Sequence, residues 1–269
     1  MIVPRILLLV IFVGWSSASQ AELRFFYEDR FSESEQAKLE TWIDEVAGGI
    51  ESLVGPYPFD VHIRFARARS REPVPWANTL RGRDQGVRFN VDPRHTLEDF
   101  RRDWTAPHEL SHLILPYLGR DDAWFSEGFA SYMQHQVMYA TGAWTREGIT
   151  QRYQRRLDEG ARKYKYPDRP YVDVVHKLRA QRKFRTLYWG GAVYFLNLDQ
   201  KLKANHNTSL RELLSTYLHC CRRHRDDLDG VIASFDRLIR SEVSAKELAR
   251  FRATPGFPHY GRIDPSVVD

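Results

Sequence analysis

Residues 106–114 of the sequence read APHELSHLI, the most informative stretch of the chain. It contains the pattern H-E-x-x-H, with His108 and His112 four positions apart. On a helix such residues lie on one face, so both imidazoles can point at a single metal ion. Zinc suits nitrogen ligands at this spacing and needs no redox chemistry. Glu109 lies too far round the helix to be a third ligand on this face, but it can reach a water molecule at the open position of the ion.

The pattern alone has an alternative interpretation, a helix whose histidines merely lie at the surface, so a third ligand is decisive. Glu127 lies fifteen positions after His112, in the stretch WFSEGFASY of residues 124–132. Gly128 removes a side chain that would keep two helices apart, and a short loop lets them pack antiparallel. Glu127 then completes a two-histidine, one-glutamate site for one zinc ion, with the fourth position left to water. The alternative for Glu127 is an ordinary first-turn acid stabilised by the helix dipole.

Alternating apolar and polar residues predict the strands of a small sheet in the N-terminal part of the chain. These strands are expected at residues 23–27, 61–65 and 87–91, with a loop rich in Arg, Pro and Gly over 68–86. Ser32 and Glu35 form the pattern of a capping box. They predict a helix that runs to about Val54 and is broken near Gly48 and Gly49.

Helical patterns prevail from Thr96 onward. Thr96 and Asp99 are expected to cap a helix that runs toward Leu118 and that Pro107 kinks or divides. Further helices are predicted near residues 122–140, 145–164 and 186–204, and at two capping boxes, Ser209 with Glu212 and Ser244 with Glu247. The fold class is therefore α+β: a small β-rich lobe over 22–95 is followed by a mainly helical lobe over 96–269, with the zinc site between them.

The first residues have the pattern of a secretory signal peptide. Arg5 precedes the apolar run 6–13, and small residues follow up to Ala21. We expect residues 1–21 to be cleaved after Ala21, and the protein to be exported to the periplasm or secreted. The alternative is a membrane anchor, but about ten apolar residues are too few for the roughly 20 of a spanning helix. No later stretch is long and apolar enough to cross a bilayer, so no stable membrane anchor is expected after cleavage.

Charge and cysteine content exclude some classes of function. The formal net charge of +5 falls to +4 when Arg5 is removed with the signal, too small and dispersed a charge to predict nucleic-acid binding. Cys220 and Cys221 are the two cysteines, and as neighbours they are expected not to bridge one another. Cys221 is assigned to the apolar stripe of a helix, with a soft-metal site shared with His219 and His224 as the alternative. No feature of the sequence specifies an oligomeric state.

The motif H-E-x-x-H followed by W-x-x-E-G-x-A-x-Y resembles the gluzincin zinc metallopeptidases, and is most similar to their aminopeptidase branch of membrane alanyl and bacterial glycyl aminopeptidases. The likeness extends over about residues 85–258. It implies a thermolysin-like zincin catalytic domain with Glu127 as the third zinc ligand. Residues 187–196 are similar to the Y-x-x-G helix of the branch, which implies that Tyr188 donates a hydrogen bond to the oxyanion. The alternative for Tyr188 is a place in the core.

The activity implied is hydrolysis of peptide bonds in a peptide or protein substrate. Zinc would make hydroxide available near neutral pH, and Glu109 would take the proton of the water and pass it to the leaving amine. The strand at 86–91 could pair with an extended peptide. A catalytically silent zinc-binding protein and a zinc-free envelope-binding protein are the alternatives.

Three departures from the aminopeptidase pattern leave exopeptidase and endopeptidase activity both open. The gap between His112 and Glu127 is shorter, and the sequence has room for little more than the catalytic unit. The strand at 86–91 contains no acid, although the G-x-M-E-N strand of the branch uses its Glu to bind the free amine of the substrate. Residues 146–185 contain 13 Lys and Arg against 5 Asp and Glu, which indicates either a basic rim that favours acidic substrates or a solvated face.

Overall fold

A four-stranded sheet forms the N-terminal part of the protein, seen in a computed structural model that describes residues 21–268. The strand order is β1-β2-β4-β3; β1, β2 and β4 run parallel, and β3 pairs antiparallel with β4 at one edge. The strands are β1 (Leu23–Tyr27), β2 (Val61–Arg67), β3 (Trp76–Arg81) and β4 (Gln85–Val91). The predicted signal peptide lies almost entirely outside the described residues.

Alternating side chains explain why the central strands are stable. Phe65 of β2 and Phe89 of β4 are fully buried, and Trp42 of the helix α1 (Glu33–Val54) packs on Phe89 with ring centroids 5.4 Å apart. The capping box of Ser32 and Glu35 is confirmed. The predicted break in α1 at Gly48 and Gly49 is wrong, because the helix is continuous. A Cβ atom on Gly49 would lie 2.7 Å from Cγ2 of Thr141, so close packing accounts for this glycine.

The prediction of a loop over residues 68–86 is wrong in its second half, where β3 is a regular strand. Its side chains are half-buried or exposed, so the apolar alternation that marks β2 and β4 is absent. The strand is instead held by the ladder to β4, in which Thr79 is the partner of Val87. Tertiary pairing thus outweighed the weak strand signal of this sequence.

The helix predicted from Thr96 toward Leu118 is divided in two, as expected, but the break lies at Asp103 and Trp104, ahead of Pro107. The capping box of Thr96 and Asp99 is confirmed at the start of α2 (Leu97–Arg102). The next helix, α3 (Thr105–Ser111), carries Pro107 in its first turn, where a proline costs no intrahelical hydrogen bond. A single 3₁₀ turn, His112–Ile114, continues α3.

The remaining helices extend the buried core that begins at the sheet. The most extensive helix contact joins α4 (Ala123–Ala140) and α7 (Phe184–Asn205). Gly128 allows this contact, since a Cβ atom there would lie 2.3 Å from the backbone carbon of Gly191. The sequence had assigned Gly128 to packing between the two ligand-bearing helices. The helices are α4 (Ala123–Ala140), α5 (Arg146–Lys163), α6 (Tyr171–Ala180), α7 (Phe184–Asn205), α8 (Leu210–Cys220), α9 (Leu228–Ile239) and α10 (Val243–Ala253), before a closing 3₁₀ turn, Pro265–Val268.

One of the two later capping boxes is confirmed and the other is wrong. Ser209 and Glu212 cap α8 as predicted. Glu247 does not cap α10, because its fully buried carboxylate pairs with Lys201 at 2.5 Å and with Arg250 at 2.5 Å. Buried carboxylates require such partners, and this need outweighs a local cap.

The prediction that Cys220 and Cys221 do not bridge is wrong, since the structure joins their sulfur atoms in a disulfide. α8 ends at Cys220, and the non-helical backbone that follows permits the bridge between neighbours. Cys221 is only partly buried, and disulfide sulfurs are not thiolates, so the soft-metal alternative with His219 and His224 is not supported.

Within residues 21–268 no helix combines the length and apolar character that a bilayer span requires. The protein is thus a mixed α/β structure with a small sheet and a helical lobe. The boundary between residues 95 and 96 stays a prediction.

Candidate metal centre

The three predicted ligands meet at one point between α3 and α4. Oε2 of Glu127 lies 3.2 Å from Nε2 of His108 and 3.7 Å from Nε2 of His112. One ligand atom from each residue lies within 4.8 Å of the other two, and within residues 21–268 no other group of His, Cys, Asp and Glu meets this condition. His108 and His112 are buried, and their rings stand perpendicular with centroids 4.9 Å apart. The short 3₁₀ turn that begins at His112 therefore keeps both imidazoles on one face.

The hydrogen bonds of His108 show that this point is suited to a cation. Nδ1 of His108 lies 2.9 Å from Oε1 of the Gln134 amide, which can only accept a hydrogen bond. In the neutral imidazole Nδ1 then carries the proton, and Nε2 directs a lone pair toward the carboxylate of Glu127. Two acceptors 3.2 Å apart repel unless a proton or a metal ion lies between them. Metal-bound histidines usually donate their other ring N–H to an oxygen acceptor, and the amide oxygen of Gln134 is such an acceptor.

The contact between His108 and Glu127 also shifts the pKa values of both groups. Burial lowers the pKa of His108, but the hydrogen bond and charge of Glu127, together with the charge of Glu109, outweigh burial and raise it above its ordinary value. Burial raises the pKa of Glu127, but the hydrogen bonds from His108 and His112 hold it well below its ordinary value. The carboxylate is therefore charged at neutral pH, as a metal ligand must be.

Glu109 faces the same space from the neighbouring position on α3. Its Oε2 accepts a hydrogen bond of 2.9 Å from Oγ1 of Thr79, on β3. A cleft of about 310 Å³ is lined by both residues and by Glu127 and Tyr188. Thr79 therefore fixes the carboxylate of Glu109 at the wall of the cleft.

Tyr188 lies on the opposite wall, one turn into α7. Its ring stacks on the imidazole of His108 with centroids 5.8 Å apart. Burial, the charges of Glu127 and Glu109, and a hydrogen bond to Glu127 raise the pKa of the phenol. The hydroxyl therefore stays protonated and can donate a hydrogen bond into the cleft. The ring also packs against the core, as the alternative interpretation of this residue predicted.

The strand predicted to receive an extended peptide is the wrong one. β4, which contains residues 86–91, pairs with β2 on one side and with β3 on the other, so it has no free edge. β3 is the edge strand beside the metal centre, and four of its residues, Trp76 to Thr79, line the cleft together with Arg81. Neither strand contains an acidic residue. Among the residues that line the cleft, the carboxylates are those of Glu109 and Glu127.

Three supporting residues were missed from the sequence. Gln134 lies seven positions after Glu127, hence on the same face of α4, and this spacing could have identified it. Thr79 and Arg81 belong to the unrecognised strand β3. The Nη1 atom of Arg81 donates to the carbonyl oxygens of His112 at 3.1 Å and of Leu115 at 3.2 Å, which satisfies carbonyl groups after the end of α3.

Comparison with known proteins gives no match at the level of sequence: no family model matches the chain, and no curated protein does. Solved structures do match. A variant of a two-domain M1 zinc metallopeptidase bound to L-arginine aligns with a TM-score of 0.54 and 14% identity, over 89% of this chain and 49% of that one. A variant of the M1 zinc metallopeptidase from Deinococcus radiodurans bound to a Tyr-Ser-Ala substrate aligns with a TM-score of 0.51 and 15% identity, over 87% and 49% of the two chains.

The chain therefore shares its fold with M1 zinc metallopeptidases, as the resemblance implied. It spans about half the length of the structures that it matches. At this level of identity the likeness concerns the fold.

Proposed function

We propose that this protein is a zinc-dependent metallopeptidase with a thermolysin-like zincin arrangement, in which His108, His112 and Glu127 hold one zinc ion. The observation that carries the proposal is the convergence of Glu127 Oε2 on both imidazoles, 3.2 Å and 3.7 Å from their Nε2 atoms. Two nitrogen ligands and one carboxylate form the ligand set of catalytic zinc in peptidases. When bound, zinc lowers the pKa of water and polarises a carbonyl group.

Glu109 is the general base and acid of the proposed reaction. It lines the cleft beside the ligands, and the hydrogen bond from Thr79 directs its carboxylate. In the first step Glu109 accepts the proton of the attacking water. In the second step it delivers that proton to the leaving amine, so that the peptide bond breaks and the carboxylate resumes its charged form.

Tyr188 is proposed to donate a hydrogen bond to the carbonyl oxygen as negative charge develops on it. The raised pKa of the phenol supports this role, because a protonated hydroxyl is required. The edge strand β3 supports the binding of an extended peptide, since its free edge lies at the cleft. We also propose export, which is supported by the signal-like sequence of residues 1–21.

The proposal is tested by incubating the zinc-loaded protein with a peptide library that has free and blocked termini, and by analysing the products with mass spectrometry. Glu109→Gln is the matched control, because it keeps the shape of the side chain and removes the base. We expect cleavage by the wild-type protein and a loss of at least about 100-fold in the variant. Cleavage at equal rates would show a contaminating peptidase. Zinc binding without cleavage of any peptide would show a catalytically silent protein.

A further inference from the structure

A second cavity of about 410 Å³ lies behind Tyr188 and is rich in arginine and tryptophan. We call it the arginine cavity. It is enclosed by α4, α5 and α7 and by the turn between α2 and α3. Its principal lining residues are Trp104, Trp144, Arg152, Arg156, Arg185 and Trp189. None of its lining residues is acidic. Arg152 and Arg156 are half-buried, and Arg185 is exposed.

The cations of this cavity have little internal compensation. Within residues 21–268, neither Arg152 nor Arg185 pairs with a carboxylate, and the guanidinium of Arg152 lies 3.8 Å above the ring of Trp144. Arg156 has a distant partner, Glu159, at 3.6 Å. Arg102, at the cavity rim, is compensated by Glu98 at 2.8 Å. Three guanidinium groups thus surround one space with a single weak ion pair among them.

Electrostatic repulsion and burial act on these groups together. Burial and the neighbouring arginines lower the pKa of Arg152, and burial followed by the charge of Arg185 lowers the pKa of Arg156. His135 forms part of the wall between Trp144 and Trp189, is buried, and its Nδ1 has no hydrogen-bond partner. An anion in the cavity would relieve the repulsion between the guanidinium groups.

The arginine cavity adjoins the candidate metal centre. Tyr188 lines both the cleft and the arginine cavity. Two further lining residues contact the ligand His108: Trp104 through an edge contact with ring centroids 5.4 Å apart, and Gln134 through its hydrogen bond. A side chain or a terminus next to the scissile bond therefore lies within reach of the cavity. The aromatic walls suit the apolar part of such a group, and the guanidinium groups suit its charged end.

We infer that the arginine cavity is a substrate subsite that binds a carboxylate, carried either by an acidic side chain next to the scissile bond or by the α-carboxyl group of the peptide. This inference rests on the proposed function and adds its substrate class. Arg152 and Arg185 bind the carboxylate, because they have no acidic partner of their own. Arginine binds carboxylates with two parallel hydrogen bonds, which gives selectivity over an uncharged amide of the same shape.

The test measures binding to the zinc-loaded Glu109→Gln protein by the quenching of tryptophan fluorescence. The probes are short peptides, acetylated and amidated, that differ only by Glu or Gln at the central position. A further pair contains Gln throughout and has either a free or an amidated C-terminus. We expect one acidic probe to bind about tenfold more tightly than its neutral partner. A preference for Glu assigns the side chain as the source of the carboxylate, and a preference for the free terminus assigns the α-carboxyl group.

Substitutions distinguish binding in the arginine cavity from a general effect of the positive charge of the protein. Arg152→Gln and Arg185→Gln should each reduce the acidic-to-neutral binding ratio toward one. Arg185 is exposed and has no ion pair within the described chain, so its variant is expected to fold. Arg155→Gln is the matched control, because it removes the same charge from α5 at an exposed position that does not line the cavity. The control should keep the ratio.

Two outcomes would overturn the inference: equal binding of all probes, or a preference that survives in both cavity variants. Failure of the inference and failure of the proposed function would give different results. If the wild-type protein cleaves peptides but no probe pair is discriminated, the inference alone is wrong. If no peptide is cleaved while an acidic probe is preferred and the cavity variants remove the preference, the cavity binds a carboxylate as a ligand site and the peptidase activity is wrong.

Discussion

The Nδ1 atom of His108 donates a hydrogen bond to Oε1 of Gln134 over 2.9 Å, and both groups are buried. This bond joins the H-E-x-x-H helix to the helix that carries Glu127. It fixes the imidazole tautomer that leaves Nε2 free for a metal ion. Gln134 is therefore a positioning residue of the candidate metal centre.

Replacement of Gln134 by Ala should weaken zinc binding by about 10–100-fold, because the imidazole loses the acceptor that orients it. Competition with a chromophoric chelator measures the affinity. Gln134→Glu should restore part of it, since a carboxylate also accepts the hydrogen bond. Gln151→Ala, at an exposed position of α5, is the control. Equal zinc affinity in Gln134→Ala and in the wild-type protein would remove the positioning role.

Replacement of Tyr188 by Phe should reduce kcat by about 100-fold and leave KM almost unchanged. The hydroxyl is proposed to act when negative charge develops on the carbonyl oxygen, so its loss affects the transition state more than the bound substrate. Steady-state kinetics on a cleaved library peptide measures both constants. The ring that stacks on His108 is retained in Phe, so the variant is itself a test of the hydroxyl alone. An unchanged kcat would assign Tyr188 to the core.

The contribution of His108 to the stability of the zinc-free protein should increase as the pH falls from 8 to 6.5, whereas buried His135, whose pKa is lowered, contributes in the opposite direction. The pKa of His108 is raised in the folded state, on balance by Glu127, so the stabilising contact is fully present below the unfolded value of 6.5 and is lost as the pH rises through the folded value. The stability added by zinc should change in the opposite direction, because zinc binds the deprotonated imidazole. Denaturant unfolding with a chelator and with zinc, at both pH values, measures the two trends.

Glu127→Gln is the control for this pH dependence, since it removes the carboxylate that raises the pKa of His108. The contribution of His108 to the stability of the zinc-free protein toward pH 6.5 should be smaller in the variant. Parallel pH dependences of the zinc-free and zinc-loaded proteins would contradict the assignment of His108 as a ligand.

Two glycines on different helices should respond to alanine in opposite directions. Gly128→Ala should destabilise the protein by about 1–3 kcal/mol, because the added Cβ atom would lie 2.3 Å from the backbone of Gly191. Gly48→Ala should stabilise it by about 0.5–1 kcal/mol, since Gly48 lies inside α1 and a Cβ atom there meets nothing within 4 Å. Chemical unfolding of both variants measures the changes. Equal effects would show that the close approach of α4 and α7 is not what requires Gly128.

The parts of this protein that the sequence predicted are those fixed by local spacing. His108 and His112 are four positions apart on a helical face, and the position of Glu127 near the start of the next predicted helix was enough to anticipate that the three side chains meet. Helix ends with a confirmed capping box, such as Ser209 with Glu212, depend on contacts within one turn. Such signals are readable because they need no partner from elsewhere in the chain.

What the sequence did not predict depends on partners distant along the chain. β3 has no apolar alternation, and its pairing with β4 makes it a strand. Glu247 pairs with Lys201, 46 positions away, instead of forming the predicted cap. Thr79 and Glu109 are 30 positions apart, and nothing in either local sequence links them. The arginine cavity likewise combines residues of several helices that only the tertiary structure brings together.

The zinc content of the purified protein, measured by elemental mass spectrometry after dialysis, tests the proposed metal centre directly. We expect one zinc ion per chain in the wild-type protein and in Glu109→Gln. We expect loss of that zinc in His108→Ala, His112→Ala and Glu127→Ala, each of which should remain folded by circular dichroism. A wild-type protein without stoichiometric zinc, or a Glu127→Ala variant that keeps zinc with unchanged affinity, would rule out this metal centre.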